Sequence, residues 1–233
     1  MTEKEYKLFH GSQFIVDSPQ LKAPGSRKDF GPGFYCTLSE EAAKEWACAG
    51  ETDGFANQYT LETEGLHFLN LDAHRFNILS WLALLLENRA FAISSETAQE
   101  GREYLLKTFL PKVERYDVIV GLRADNSWFS IANAFLNNDI SLVELRRSMR
   151  LGEEGMQYVL RTKKALAAIR FEASIPADRR IYYPQMLAKD ARARHLLEKN
   201  KGRENDGEAV YLIDIMRGEW KKNDPRLRKR LSK

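Results

Sequence analysis

A chain of 233 residues suffices for one large domain or two small ones, and 43% hydrophobic with 30% charged residues is the ordinary balance of a globular protein. The formal net charge of +3 singles out no partner, and two cysteines, Cys36 and Cys48, exclude a disulfide framework. The longest apolar run, ILSWLALLL at 78 to 86, falls short of the roughly 20 residues a membrane span needs. With no signal-like run in MTEKEYKLFH, a cytoplasmic protein without a membrane partner is expected.

In chain order, EYKLFH at 5 to 10 reads as a strand ended by Gly11-Ser12. Residues 13 to 28 read as loop, with the basic pair Arg27-Lys28 at its end. The stretch DFGPGFYCT at 29 to 37 turns on glycine and enters a short strand at 33 to 37. A helix starts after Ser39 as N-cap, with Glu40 and Glu41 in its first turn and Ala42, Ala43, Trp46 and Ala47 on one face. Strands follow at 57 to 63 and 66 to 71 around a Glu-Gly turn, then an apolar helix at 76 to 89 and a more polar one at 95 to 109. YDVIVG at 116 to 121 reads as a buried strand. Helices at 127 to 137, with Trp128, Ile131, Ala132 and Phe135 as the apolar stripe, and at 141 to 149 precede strands at 156 to 161 and 168 to 174. Helices around 189 to 199 and 208 to 221 complete the chain. From Arg217 onward eight Lys or Arg stand against Glu219 and Asp224, which reads as a solvated terminus or as a contact for nucleic acid or another acidic surface.

Strand-to-strand steps outnumber strand-helix-strand units, so the expected class is α+β and not a doubly wound parallel fold. Neither GxxxxGK[ST] nor GxGxxG occurs. His10, His67, His74 and His195 combine with the cysteines at no metal-ligand spacing, so no metal is expected.

Three segments in order carry chemistry: LFHGS at 8 to 12, GFYCT at 33 to 37, and GMQYVL at 155 to 160. Together they resemble the ADP-ribosyltransferase superfamily, in the branch similar to diphtheria toxin and the poly(ADP-ribose) polymerases, and above all its uncharacterised bacterial members. His10-Gly11-Ser12 matches the family's His-Gly-[Thr/Ser] strand, Gly33-Phe34-Tyr35 its tyrosine strand, and Gln157-Tyr158-Val159 the strand where the family carries a glutamate. The resemblance spans residues 6 to 174. It implies a split mixed or antiparallel sheet in a domain at 1 to 175, followed by a helical, basic extension at 176 to 233. It implies NAD as co-substrate, no metal, and transfer of a single ADP-ribose to a protein or nucleic-acid acceptor, by an intracellular toxin held by an antitoxin or by a defence effector.

The residue types suit this chemistry. A strand end at Gly11, with Ser12 beside it, can present backbone donor and acceptor to the flat nicotinamide carboxamide. The Tyr35 ring can stack on the pyridine, with Trp46, eleven residues on, as the second aromatic. Gly31 and Gly33 let the loop turn beneath the ligand, and Arg27 is the candidate for the pyrophosphate. The resemblance assigns His10 to the adenosine-side ribose. Gln157 takes the catalytic place with His10 and Tyr35; a neutral amide orients a ribose hydroxyl but lacks a carboxylate's charge, which Glu153 or Glu154 stands close enough in sequence to supply. Arg123, Asp125 and Asn126 in GLRADNSWFS are candidates for the acceptor side. Taken singly, each residue also has a purely structural reading. Two further classes stay open: a catalytically silent NAD- or ADP-ribose-binding module, and a nucleic-acid-associated protein acting through its basic C-terminus.

Overall fold

The computed structural model describes residues 4–21, 28–72, 77–91, 93, 95–124, 126–151, 155–200 and 209–228. In chain order the elements are β1 (Glu5–Ser12), β2 (Phe34–Thr37), α1 (Glu40–Ala47), β3 (Gly54–Glu62), β4 (Phe68–Asn70), α2 (Ile78–Asn88), α3 (Glu96–Phe109), β5 (Val118–Leu122), α4 (Asn126–Leu136), α5 (Leu142–Leu151), β6 (Met156–Leu160), α6 (Lys163–Ala167), β7 (Ile169–Ala177), α7 (Arg179–Asn200), α8 (Leu212–Arg217) and α9 (Pro225–Arg228). The class is α+β. The chain forms two interleaved units, one of residues 1–70, 113–123 and 154–189, the other of 71–112, 124–153 and 190–233. The extension expected from residue 176 is thus divided between them.

The first unit is a seven-stranded mixed sheet in the order β4-β5-β6-β2-β1-β3-β7. Its β4–β5 pair is parallel and the other pairs are antiparallel. Alternation of side chains gives the sheet two distinct faces. One carries Leu8, Phe34, Cys36, Tyr59, Val118, Val120, Tyr158 and Leu160, a single buried cluster. The other receives α1, with Phe9, Ala43 and Ala56 packed together. Ser39 caps α1 as its composition requires, its Oγ accepting the Ala42 N–H at 3.1 Å. Burial pushes the Cys36 thiol well up, which favours its protonated form.

The second unit is helical. Apolar on all sides, α2 buries every residue from Leu79 to Leu86, with Asn77 Oδ1 accepting the Leu79 and Ser80 N–H groups at its start. Among the described residues no helix is long and apolar enough to cross a membrane.

Several expectations are corrected. The strands expected around the Glu64-Gly65 turn, with Gly65 at φ 72°, are present as β3 and β4, but β3 lies between β1 and β7 while β4 lies parallel to β5. A short helix, α6, capped by Thr162, joins β6 to β7 where a direct strand-to-strand step was expected. Helix α7 starts at Arg179 and not near 189, running through Pro184, a residue that normally reads as a helix break. Within the basic terminus α9 forms at Pro225–Arg228, and Trp220 and Leu227 are buried.

Candidate functional site

The site gathers at a seam. Along its whole length β1 pairs with β3, from Glu5↔Glu62 to Ser12↔Phe55, yet it meets β2 at one register pair, Phe9↔Thr37. Beyond that pair the His10-Gly11-Ser12 end of β1 parts from β2. The His10 ring spans the opening, with Nδ1 2.7 Å from the Tyr35 carbonyl oxygen and the ring centroid 4.4 Å from that of Phe34. A carbonyl only accepts, so Nδ1 carries the proton and Nε2 is the acceptor of the neutral ring.

Register partners share a face. Thr37 opposes both Phe9 and Gln157, and Tyr35 opposes Val159, so Tyr35, Thr37, Gln157 and Val159 lie on the α1 face with Phe9 and Gly11. His10 starts from the other face, with Leu8, Phe34 and Cys36. The imidazole and the phenol therefore leave opposite faces and are joined through the main chain at the seam, where the sequence reading put both rings around one ligand.

Gly11 is bare for a structural reason. A Cβ there would sit 2.0 Å from Ala43 O and 2.7 Å from Trp46 Cβ, so the missing side chain admits α1. That contact sets Trp46 beside the end of β1. The Arg123 guanidinium lies 4.8 Å from the centroid of the Trp46 ring, a cation over its face. Trp46 Nε1 is buried without a hydrogen-bond partner, an uncompensated donor at the same place.

The glycine loop closes onto this face. Gly31 adopts φ 82°, and the Tyr35 hydroxyl ties the loop by accepting the Phe30 N–H at 3.0 Å and donating to Gly31 O at 2.7 Å. A Cβ on Gly33 would meet Val159 Cγ1 at 2.5 Å, so this glycine serves the packing of β2 on β6. Gln157 is 3% exposed, and its Nε2 donates to Asp29 Oδ2 at 3.3 Å, with Asp29 itself 7% exposed. Ser12 Oγ accepts the Phe14 N–H at 3.2 Å and so turns the chain after β1. Arg27, Glu153, Glu154 and Asp125 lie outside the described residues. Asn126 opens α4.

Two residues of the site were not anticipated. Asp29 is one, an acid in the glycine turn whose partner is distant in sequence. Asn57 is the other. It is fully buried on β3, its Oδ1 accepting the Val16 N–H at 3.0 Å while Nδ2 lies within bonding reach of His10 O and Phe14 O. It thereby anchors the loop that follows the His-Gly-Ser strand. An asparagine in the middle of FANQYTL is the available signal, since a strand interior disfavours it without a polar task. Among the described residues no cluster of three or more His, Cys, Asp or Glu is placed to hold a metal ion.

A family model described as a protein of unknown function, DUF3990, matches residues 6–171. The chain belongs to the DUF3990 family. The DUF3990 range runs from Tyr6 in β1 to Phe171 in β7 and takes in the seam, α1 and Gln157. No curated protein and no solved structure matches the chain.

Proposed function

We propose that this DUF3990 protein is an NAD-dependent mono-ADP-ribosyltransferase, the activity that its three segments resemble. The observation that carries the proposal is the convergence of Gly11, Trp46, Tyr35 and Gln157 on one side of the β1–β2 seam, from four separate stretches of chain. In this reading the nicotinamide stacks on the Trp46 ring near the end of β1, Tyr35 holds the glycine loop beside it, and the His10 ring meets a ribose hydroxyl. Gln157 engages the hydroxyl of the reacting ribose.

The reaction breaks the bond between ribose C1′ and the nicotinamide nitrogen. The electron pair leaves with nicotinamide, which becomes neutral, and positive charge develops on the ribose. A nucleophile of the acceptor gives a lone pair to C1′ and loses its proton. NAD and acceptor thus yield ADP-ribosyl-acceptor, nicotinamide and a proton. The chain's part is to bind, to orient the ribose and to exclude water. A protein or nucleic-acid acceptor, and the role of a toxin or defence effector, belong to the same proposal on the strength of the resemblance.

Purified protein incubated with NAD labelled in its ADP-ribose moiety and with cell extract tests it. Label is expected on a macromolecule and is lost in His10→Ala and Tyr35→Ala variants that remain folded. The neutral amide at 157 favours one other reading, a binding module without turnover; saturable NAD binding with neither transfer nor nicotinamide release selects that reading.

A further inference from the structure

We propose that Asp29 is the carboxylate of this site, a positioning residue that acts through Gln157. The inference rests on the transferase reading above and deepens it.

A glutamine where positive charge develops is a weak device if its amide is free to turn, because one arm attracts a cation and the other repels it. Here the amide is not free to turn. Gln157 is buried, and it faces the buried Asp29 at 3.3 Å. An ionised carboxylate accepts and cannot donate, so the Gln157 arm that faces it is the NH₂ group. The carbonyl oxygen Oε1 is then the arm presented for a ribose hydroxyl, the polarity a carboxylate oxygen would have. When Asp29 is ionised, the negative charge sits one hydrogen bond behind that oxygen, on a buried group. Distances of this kind commonly shorten when a ligand fills the site.

The location of Asp29 follows from the fold. It precedes Phe30 and Gly31, the two residues whose main chain the Tyr35 hydroxyl holds, and Tyr35 O in turn accepts from His10. One run of hydrogen bonds therefore links the imidazole, the phenol and the loop that carries the carboxylate. The short strand β2 between loop and seam fixes Thr37 opposite Gln157, which keeps the amide and the loop in register.

The test uses the full-length protein, measuring NAD affinity by titration and nicotinamide release as kcat, each across pH. Asp29→Asn keeps the shape and a hydrogen-bonding arm toward Gln157 but removes the charge. It is expected to leave the Kd for NAD within about 3-fold while lowering kcat on the order of 100-fold. Moving the charge back, in the Asp29→Asn, Gln157→Glu double variant, is expected to recover most of the lost kcat, which a merely structural role would not allow. Gln157→Glu alone puts two carboxyl groups in contact, so its pH–rate profile is expected to gain a titration above the ordinary carboxylate value near 4. This variant keeps the test alive should Asp29→Asn fail to fold. If the wild type releases nicotinamide and Asp29→Asn matches its kcat, the role of Asp29 is wrong and the transferase reading stands. Equal loss of affinity and kcat without recovery in the double variant, or an unchanged profile for Gln157→Glu, overturns it likewise. A wild type that neither binds nor consumes NAD removes both.

Discussion

A phenol whose hydroxyl both accepts from Phe30 N–H and donates to Gly31 O is a loop clamp before it is anything else. Phe30 is 1% exposed, so removing the hydroxyl strands its N–H in a dry place. Tyr35→Phe is expected to cost about 1–3 kcal/mol in chemical denaturation and, on the proposed function, to weaken NAD binding, because the loop loses its tie while the ring remains. An unchanged denaturation midpoint would sink the clamp. The same logic applies to Asn57, which satisfies Val16 N–H and reaches two carbonyls from a fully buried position. Asn57→Ala is expected to destabilise by about 2–4 kcal/mol and to loosen residues 14 to 16, seen as faster amide exchange there. Sequence reasoning singles out Tyr35 and His10 because each sits in a recognisable segment. It missed Asp29 and Asn57 because their meaning depends on partners 128 and 41 residues away, a spacing that no local pattern encodes.

Among the elements, α1 shows how far local signals reach. Its cap, its acidic first turn and its apolar face are all written in SEEAAKEWA, and the helix runs Glu40–Ala47 as they require. What those signals cannot give is the helix's height above the sheet, which Gly11 sets. A methyl group there would overlap Ala43 O, so Gly11→Ala is expected to lift α1, cost about 1–3 kcal/mol and, on the proposed function, lower NAD affinity together. A second junction is electrostatic. Asp117, at the start of β5, accepts from His67 N–H at 3.0 Å before β4 and from Thr162 Oγ1 at 2.7 Å at the α6 cap. Burial pushes this carboxyl up, but the His67 N–H, the Thr162 hydroxyl and nearby Lys164 together outweigh it and hold it below the ordinary carboxylate value. A lowered folded value means the stabilisation is complete above the unfolded value of about 3.9 and is lost as pH falls through the folded one. The stability gap between wild type and Asp117→Asn is therefore expected to be full at pH 7 and to narrow as pH drops from about 5 towards 3, read from denaturant midpoints. A gap that does not vary with pH would contradict this role for Asp117.

At the scale of the whole molecule the C-terminal stretch changes meaning. By composition, KKNDPRLRKRLSK is a basic tail, and charge counting treats every cation in it as available to a partner. The fold uses several of them differently. Lys222 Nζ donates to Leu110 O at 2.6 Å, and Lys222 O accepts from Asn77 Nδ2 at 3.2 Å. Arg226 pairs with Asp224 at 2.6 Å and lies over the Trp220 ring, whose carbonyl accepts from the Tyr104 hydroxyl at 2.8 Å. Arg146 Nη2 donates to Leu227 O at 2.6 Å, and Leu227 is 1% exposed. Two apolar residues, Trp220 and Leu227, turn a charged segment into part of the helical unit's core, and a net-charge count is blind to that because burial belongs to the partner surface. Leu227→Ala is expected to cost about 2–5 kcal/mol. Truncation after Met216 removes both anchors and leaves the Tyr104 hydroxyl and the Arg146 guanidinium without these carbonyls. It is expected to abolish cooperative unfolding of the helical unit, followed by near-ultraviolet circular dichroism. Loss of nucleic-acid binding in such a truncation would therefore report unfolding, whereas Arg217→Ala with Lys221→Ala, which leaves Trp220 and Leu227 in place, separates surface charge from the core. If the truncated chain unfolds with the wild-type midpoint and amplitude, the C-terminal segment is not part of that core.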